Sequence, residues 1–231
     1  IMFFHGGGWV LGDLETHDAL CRRLASESEC TVIAVDYSLS PETRYPKSLD
    51  ECYNATVHVI ENASQFNVRS DRVAVAGDSA GGNLAAAVTL RARDLGFDRI
   101  DRQILIYPAL LPDYEQESYL EFTEGFGLTR QRMIWFWNQY LGNNEADCYA
   151  APCLATNLAD LPETLLITAE YDVLRCDGEA FAKRLIESGV PASYKRYHGN
   201  LHGFAHFAGM FDDGKRAVAE IGWWCRQHLY R

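Results

Sequence analysis

The chain has 231 residues, an apolar content of 48% and a formal net charge of −11 from 32 acidic and 21 basic residues. This length can bury one substantial core, and the sequence contains no basic cluster and no apolar run of the roughly 18 residues that a membrane span requires. These features argue against nucleic acids and anionic membranes as partners and against an integral membrane segment. The seven cysteines include no Cys-x-x-Cys pair and no zinc-ligand spacing, which favours free thiols, a cytoplasmic setting and no metal site.

Strand-like and helical patterns alternate along the chain. Short apolar runs predict strands at 1–4, 31–36, 72–77, 103–107, 164–169 and 192–197. Helical patterns lie near 16–29, 47–63, 82–95, 129–141, 177–188 and 213–229. Strands that alternate with helices need crossover connections, so residues 1–231 are interpreted as one α/β domain with a mainly parallel sheet and helices on both faces.

Three consecutive glycines follow the first predicted strand. His5 precedes Gly6, Gly7 and Gly8. Because glycine has no side chain, its backbone N–H groups can approach a developing negative charge closely. A triple glycine alone is typical of a flexible turn, but directly after a strand it is a candidate oxyanion loop.

The third predicted strand runs into the pattern Gly77-x-Ser79-x-Gly81, and an Ala- and Leu-rich helix follows. This arrangement predicts a nucleophile elbow, a sharp turn that holds a strained serine with its hydroxyl exposed. A serine hydroxyl reacts at neutral pH only with help from a base, an orienting acid and an oxyanion hole. Ser79 is therefore the candidate nucleophile, and the remaining groups must come from elsewhere in the chain.

The alternation of strands and helices breaks between Pro108 and Pro162. The segment is rich in aromatic residues, and Trp135 and Trp137 cannot face the same side of one helix. We interpret residues from about 110 to 150 as a helical cap insertion. Part of it is expected to pack on the main body and part to cover the acyl pocket and exclude water.

The candidates for the orienting acid are aspartates around the predicted strand 164–169. Asp172 lies just past this strand, at the sheet edge where Ser79 is expected. The rival Asp177 opens a helical pattern, which favours an N-cap or first-turn role. Asp160 precedes the strand and falls at the opposite edge, so Asp172 is selected.

The candidate base is His202, which stands in a Leu-His-Gly-Phe sequence after the predicted strand 192–197. The resulting chain order of nucleophile, acid and base is that of α/β-hydrolases. His198 and His206 are fallback assignments. The remaining histidines, interpreted as surface or packing residues far from the site, are His17, His58 and His228.

These motifs resemble the hormone-sensitive lipase family of α/β-hydrolases, which pairs a His-Gly-Gly-Gly loop with a Gly-Asp-Ser-Ala-Gly-Gly elbow. Residues 35–42 are similar to the family segment Asp-Tyr-Arg-Leu-Ala-Pro-Glu, with Ser38 and Ser40 as departures. Residues 172–176 stand where the family has Asp-Pro-Leu-Arg-Asp. The departures affect bracing positions and leave the candidate catalytic residues unchanged.

The resemblance implies an α/β-hydrolase fold and hydrolysis of carboxylic esters with short to medium acyl chains, without a metal or organic cofactor. It implies Ser79 as nucleophile, His202 as general base and Asp172 as the partner of His202. It implies that the N–H groups of Gly7, Gly8 and Ala80 form the oxyanion hole and that His5 braces the loop.

Two alternatives remain open at this stage. Amide hydrolysis of the arylacetamide type would use the same residues. The second alternative is a non-catalytic small-molecule receptor on the same scaffold. The plant gibberellin receptors resemble this family but lack the catalytic histidine, whereas His202 is present here.

The start of the chain departs from the family pattern. The family sheet has eight strands, two of them before the glycine loop, and its cap draws partly on an N-terminal segment. We therefore expect that this segment is missing. We expect as a consequence that apolar surface is uncovered along residues 1–4 and above the acyl pocket, and that the chain is poorly soluble or self-associates.

Overall fold

The computed structural model describes residues 1–230. Within this range six strands form one sheet: β1 (Met2–Phe4), β2 (Ile33–Val35), β3 (Ala74–Asp78), β4 (Arg102–Ile106), β5 (Glu163–Tyr171) and β6 (Ala192–Leu201). The strand order is β2-β1-β3-β4-β5-β6, and every neighbouring pair is parallel. The predicted parallel sheet is confirmed, although β6 extends four residues beyond the predicted 192–197.

In the same described range, seven α-helices connect or follow these strands: α1 (Leu14–Ser28), α2 (Lys47–Glu61), α3 (Ala80–Asp94), α4 (Glu117–Glu121), α5 (Arg130–Leu141), α6 (Arg175–Glu187) and α7 (Asp212–Leu229). All but α4 were expected from the helical patterns; α4 has only five residues, too few to show a helical period. No helix in residues 1–230 is long and apolar enough to cross a membrane.

The core lies on both faces of the sheet because neighbouring side chains of each strand point in opposite directions. On β1, Met2 and Phe4 pack into the cluster that includes residues of α2, α3 and α6. Phe3 packs on the other face, in the cluster formed with α1 and α7. Helices therefore cover both faces, as the sequence predicted.

Residues Met2 to Phe4 are at most 1% exposed. The expectation that they leave apolar surface uncovered is wrong, because β1 lies between β2 and β3 and has helices on both faces. The strand at this edge of the sheet is β2, whose residues are half-buried. Self-association stays a prediction.

Candidate active site

The candidate site lies along one edge of the sheet. Because the strands are parallel, the loops that leave their carboxyl ends meet at the same edge. Ser79 follows β3, Asp172 follows β5 and His202 follows β6. The glycine loop that begins at Gly6 follows β1, which is adjacent to β3.

Ser79 occupies a strained turn between β3 and α3. Its φ of +57° and ψ of −118° place a residue other than glycine in a conformation that side chains rarely adopt. The turn is tight enough that a Cβ on Gly81 would lie 1.9 Å from the carbonyl oxygen of Phe4. Only glycine fits there, so the Gly-x-Ser-x-Gly pattern reflects close packing of α3 against β1.

The side chains of Ser79, His202 and Asp172 form a continuous chain of contacts. His202 Nε2 lies 3.0 Å from Ser79 Oγ, and His202 Nδ1 lies 2.7 Å from Asp172 Oδ2. Since a carboxylate only accepts hydrogen bonds, the His202 ring donates from Nδ1 and leaves Nε2 free to accept from the serine hydroxyl. Asp172 is 1% exposed, and its other oxygen accepts from the Leu174 N–H at 2.9 Å.

The structure separates His202 from its rivals. The His198 side chain is 73% exposed and lies 3.4 Å from the Glu170 carboxylate. His206 lies beside the site, with its ring 4.5 Å from that of His17, and burial lowers its pKa. Only His202 contacts both the serine and the aspartate.

Asp177 lies in the first turn of α6, as predicted, but it is buried and its carboxylate accepts three hydrogen bonds. Its carboxylate accepts hydrogen bonds from the N–H groups of Leu110 and Leu111 at 2.9 and 3.0 Å and from Gln116 at 2.7 Å. Burial raises the pKa of Asp177 to about 7, although these hydrogen bonds oppose the shift. Asp177 therefore ties α6 to the chain that leaves β4.

The glycine loop is fixed from two sides. Asp78 Oδ1 accepts from the Gly6 N–H at 2.9 Å, and the Tyr37 hydroxyl donates to the His5 carbonyl at 2.6 Å. The rings of His5 and Tyr37 stack with their centroids 4.3 Å apart. Gly7 has a φ of +121°, and a Cβ on it would lie 2.1 Å from the Leu11 carbonyl oxygen. The conformation of this loop therefore requires glycine at position 7.

His17 lies in the site, so the interpretation that placed it far away is wrong. It is 7% exposed, and its Nε2 lies 3.3 Å from Asp78 Oδ1. Burial lowers the pKa of His17, but the hydrogen bond and charge of Asp78 outweigh burial and leave it raised. Burial likewise raises the pKa of Asp78, but His17 lowers it below its ordinary value.

The cap of α1 fixes the protonation of the His17 ring. The Thr16 hydroxyl donates to the Asp13 carbonyl at 2.8 Å, so it accepts from His17 Nδ1, 3.1 Å away. Nδ1 thus carries a proton, whereas Nε2 lies 3.3 Å from both Asp78 Oδ1 and the Gly6 N. When Nε2 is protonated as well, His17 and Asp78 form a buried imidazolium–carboxylate pair, and the raised pKa of His17 reflects the attraction of Asp78 for that charged form.

A cavity of about 290 Å³ opens in front of Ser79. Its lining residues are Gly7, Gly8, His17, Asp78, Ser79, Gly127, Leu128, Arg132, Met133, Phe136, His202, Gly203, His206 and Phe207. The cavity is bounded by the glycine loop, by the segment that carries α5 and by the loop after β6. Phe207, at its rim, is 47% exposed.

Helix α5 packs directly on the glycine loop. A Cβ on Gly8 would lie 2.3 Å from the ring of Phe136, so the two residues are in close contact. Trp137 is buried, whereas Trp135 is 48% exposed. One tryptophan thus packs on the body and the other faces solvent, as their spacing predicted. The assignment of the whole segment 110–150 as a cap stays a prediction.

Among the residues that the structure describes, no group of three or more His, Cys, Asp or Glu side chains could hold a metal ion. The Ser79 hydroxyl, the His202 ring and the buried Asp172 carboxylate are linked by contacts, and the glycine loop beside them lines the same cavity.

Comparisons with known proteins agree with this geometry. The family model for the α/β hydrolase fold matches residues 1–206. An arylesterase from Saccharolobus solfataricus is 41% identical over 207 residues, which are 88% of this chain and 67% of the arylesterase. The esterase LipI from Mycobacterium tuberculosis is 40% identical over 91% of this chain and 67% of LipI. A hyperthermophilic esterase from the archaeon Pyrobaculum calidifontis superposes with a TM-score of 0.95 at 42% identity, over 98% of this chain and 75% of that protein.

The chain therefore belongs to the α/β-hydrolase family, in the branch of the hormone-sensitive lipases. These three relatives are esterases, which places this chain among the serine ester hydrolases. It spans between 60 and 67% of the length of four curated relatives that it matches.

Proposed function

We propose that this chain hydrolyses carboxylic esters through an acyl-enzyme formed on Ser79. The observation that carries the proposal is the contact of His202 with both Ser79, at 3.0 Å, and Asp172, at 2.7 Å. This is the arrangement of nucleophile, base and orienting acid that acyl transfer requires. The esterase relatives support the same reaction class.

In the first half of the reaction, Ser79 Oγ attacks the ester carbonyl carbon while His202 Nε2 takes the serine proton. The buried Asp172 keeps the other ring proton on Nδ1 and stabilises the imidazolium that forms. The N–H groups of Gly7, Gly8 and Ala80 stabilise the negative charge on the carbonyl oxygen. Collapse of this intermediate breaks the ester bond, and His202 gives its proton to the leaving alcohol.

In the second half, water attacks the acyl-enzyme with His202 again as the base, and the acid leaves as Ser79 recovers its proton. His5 supports the oxyanion loop through its stacking on Tyr37. The cavity of about 290 Å³ is at the small end of small-molecule sites and is lined by Leu128, Met133 and Phe136. This size favours short to medium acyl chains.

We propose that the protein acts in a reducing compartment, such as the cytoplasm. All seven cysteines are free thiols, which supports this assignment.

A panel of p-nitrophenyl esters and matched p-nitroanilides, varied in acyl length, tests the proposal. We expect turnover of the shorter esters, slower or no turnover of the anilides, and loss of activity in Ser79→Ala. Ser64→Ala, which changes an exposed serine, is the matched control. Preferred anilide cleavage would assign the site to amide hydrolysis. Ligand binding without turnover of either set would assign it to a receptor.

A further inference from the structure

The first turn of α5 carries two cations in an electrostatically unfavourable place. Arg130 and Arg132 lie there, and this turn contains no acidic residue. The N-terminus of a helix carries a partial positive charge, so arginine is disfavoured at these positions and aspartate or glutamate is preferred. Helix stability therefore does not account for both arginines.

The two arginines differ in their contacts. Arg130 donates to the Tyr114 carbonyl at 2.9 Å and forms an ion pair with Glu115. The Arg132 side chain is exposed and has no hydrogen bond, ion pair or ring contact in residues 1–230; only its backbone N–H is bonded, to Thr129. Arg130 thus has a structural role that Arg132 lacks.

Arg132 lines the cavity that contains Ser79. The other ionisable groups in the wall have partners or are disfavoured as charges: His17 and Asp78 pair with each other, His202 is bonded to Asp172, and burial lowers the pKa of His206. The guanidinium of Arg132 is thus the one uncompensated charge of the cavity wall within the described residues. On a chain with a net charge of −11, it gives the cavity a local attraction for anions.

We propose that Arg132 recognises a carboxylate on the substrate, so that the preferred esters carry an anionic group on the acyl or the alcohol part. This inference rests on the proposed function, because it concerns the substrate of the same site. A guanidinium presents a planar pair of donors that matches a carboxylate, and the open rim leaves room for the substrate to approach it.

Matched pairs of esters that differ by one carboxylate test this inference. On the acyl side, mono-p-nitrophenyl adipate is compared with p-nitrophenyl hexanoate; on the alcohol side, 3-carboxyphenyl butyrate is compared with phenyl butyrate. The quantity measured is the ratio of kcat/KM for the anionic ester to that for the neutral ester, corrected for spontaneous hydrolysis.

We expect Arg132→Gln to lower this ratio about fivefold on at least one side, as for an exposed ion pair, and the effect to shrink at high salt. Arg132→Glu should lower it further, and Arg132→Lys should retain part of it. Glutamate suits a helix N-terminus, so poor folding of that variant is not expected. Arg130→Gln is the matched control and should leave the ratio unchanged.

An equal ratio in the wild-type protein and in Arg132→Gln on both sides would overturn the inference, as would an equal fall in Arg130→Gln. Calorimetry on Ser79→Ala, with and without Arg132→Gln, measures binding of the same esters without turnover. Tighter binding of the anionic ester that depends on Arg132, with no hydrolysis in the wild type, would support the inference and contradict the proposed function. Hydrolysis with no preference for the anionic ester in either assay would support the proposed function and overturn this inference.

Discussion

The carboxylate of Asp78 accepts a hydrogen bond from the backbone N–H of Gly6, with 2.9 Å between Oδ1 and N. The residue before the candidate nucleophile thus fixes the loop that is proposed to hold the oxyanion. The same oxygen lies 3.3 Å from Nε2 of His17. The backbone conformation of the glycine loop therefore depends on the buried contact of Asp78 with His17 as well as on the glycines themselves.

The first prediction concerns this pair. The pKa of His17 is raised above 6.5, so its contribution to stability is present below pH 6.5 and is lost as the pH rises through the raised pKa. The pKa of Asp78 is lowered below 3.8, so its contribution is present above pH 3.8 and is lost as the pH falls through the lowered pKa. Between these values His17→Phe should lower the free energy of unfolding by about 3 kcal/mol, because the buried Asp78 carboxylate keeps its hydrogen bond from Gly6 but loses its cationic partner.

Urea unfolding across this pH range measures the effect. The loss in His17→Phe should shrink at alkaline pH, where the wild-type pair is also broken, and kcat should fall more than KM changes. His58→Phe, at an exposed position of α2, is the control and should have little effect. A loss that is independent of pH would show that packing, and not charge, gives His17 its role.

The second prediction separates the histidines. His202→Ala should lower kcat by about 10⁴-fold or more, because Ser79 then has no base. His198→Ala should stay active, since its side chain is 73% exposed and contacts Glu170. Initial rates with a short-chain p-nitrophenyl ester decide between them, and inactivity of the His198 variant alone would contradict the assignment.

The third prediction concerns the oxyanion loop. Gly7→Ala would place a Cβ 2.1 Å from the Leu11 carbonyl oxygen, so the loop must move. We expect kcat to fall about 10²–10³-fold, as for the loss of one oxyanion donor. Gly189→Ala is the matched control, since Gly189 also has a positive φ, +79°, but nothing within 4 Å of an added Cβ. If both variants lost activity equally, backbone strain alone would account for the result.

The fourth prediction concerns Asp177, whose pKa is raised to about 7 by burial. Its contribution to stability is fully present below pH 3.8 and is lost as the pH rises toward 7, because the native state binds the proton more tightly than the unfolded chain. Asp177→Asn removes this dependence. Relative to the wild type, the variant should gain on the order of 4 kcal/mol between pH 4 and 8, at about 1.4 kcal/mol per pKa unit. Chemical unfolding at both pH values measures this, and parallel pH curves for the two proteins would contradict it.

The sequence predicted the sheet and most helices because apolar periodicity and glycine spacing are local signals. The Gly-x-Ser-x-Gly pattern gave the turn at Ser79, and the order of strands placed Asp172 and His202 at the same edge. These inferences needed only the rule that parallel strands bring their carboxyl ends together.

What the sequence did not indicate depends on how the elements pack. His17 fell in a helical pattern, and only the packing of α1 beside the glycine loop brings it to Asp78. The signal that was available is the Asp13–Thr16 capping box, which fixes where α1 begins. The burial of residues 2–4 was likewise missed because it depends on the strand order, which places β1 inside the sheet.

Covalent labelling tests the assignment of Ser79 as the nucleophile. The protein is treated with a p-nitrophenyl alkylphosphonate, whose phosphorus accepts a nucleophile and releases p-nitrophenol. Mass spectrometry of the intact chain and its peptides then gives the number and position of adducts. We predict one adduct per chain, on Ser79, formed in parallel with the loss of esterase activity, and no adduct in Ser79→Ala. Labelling of another residue with loss of activity, or full activity after complete labelling of Ser79, would contradict it.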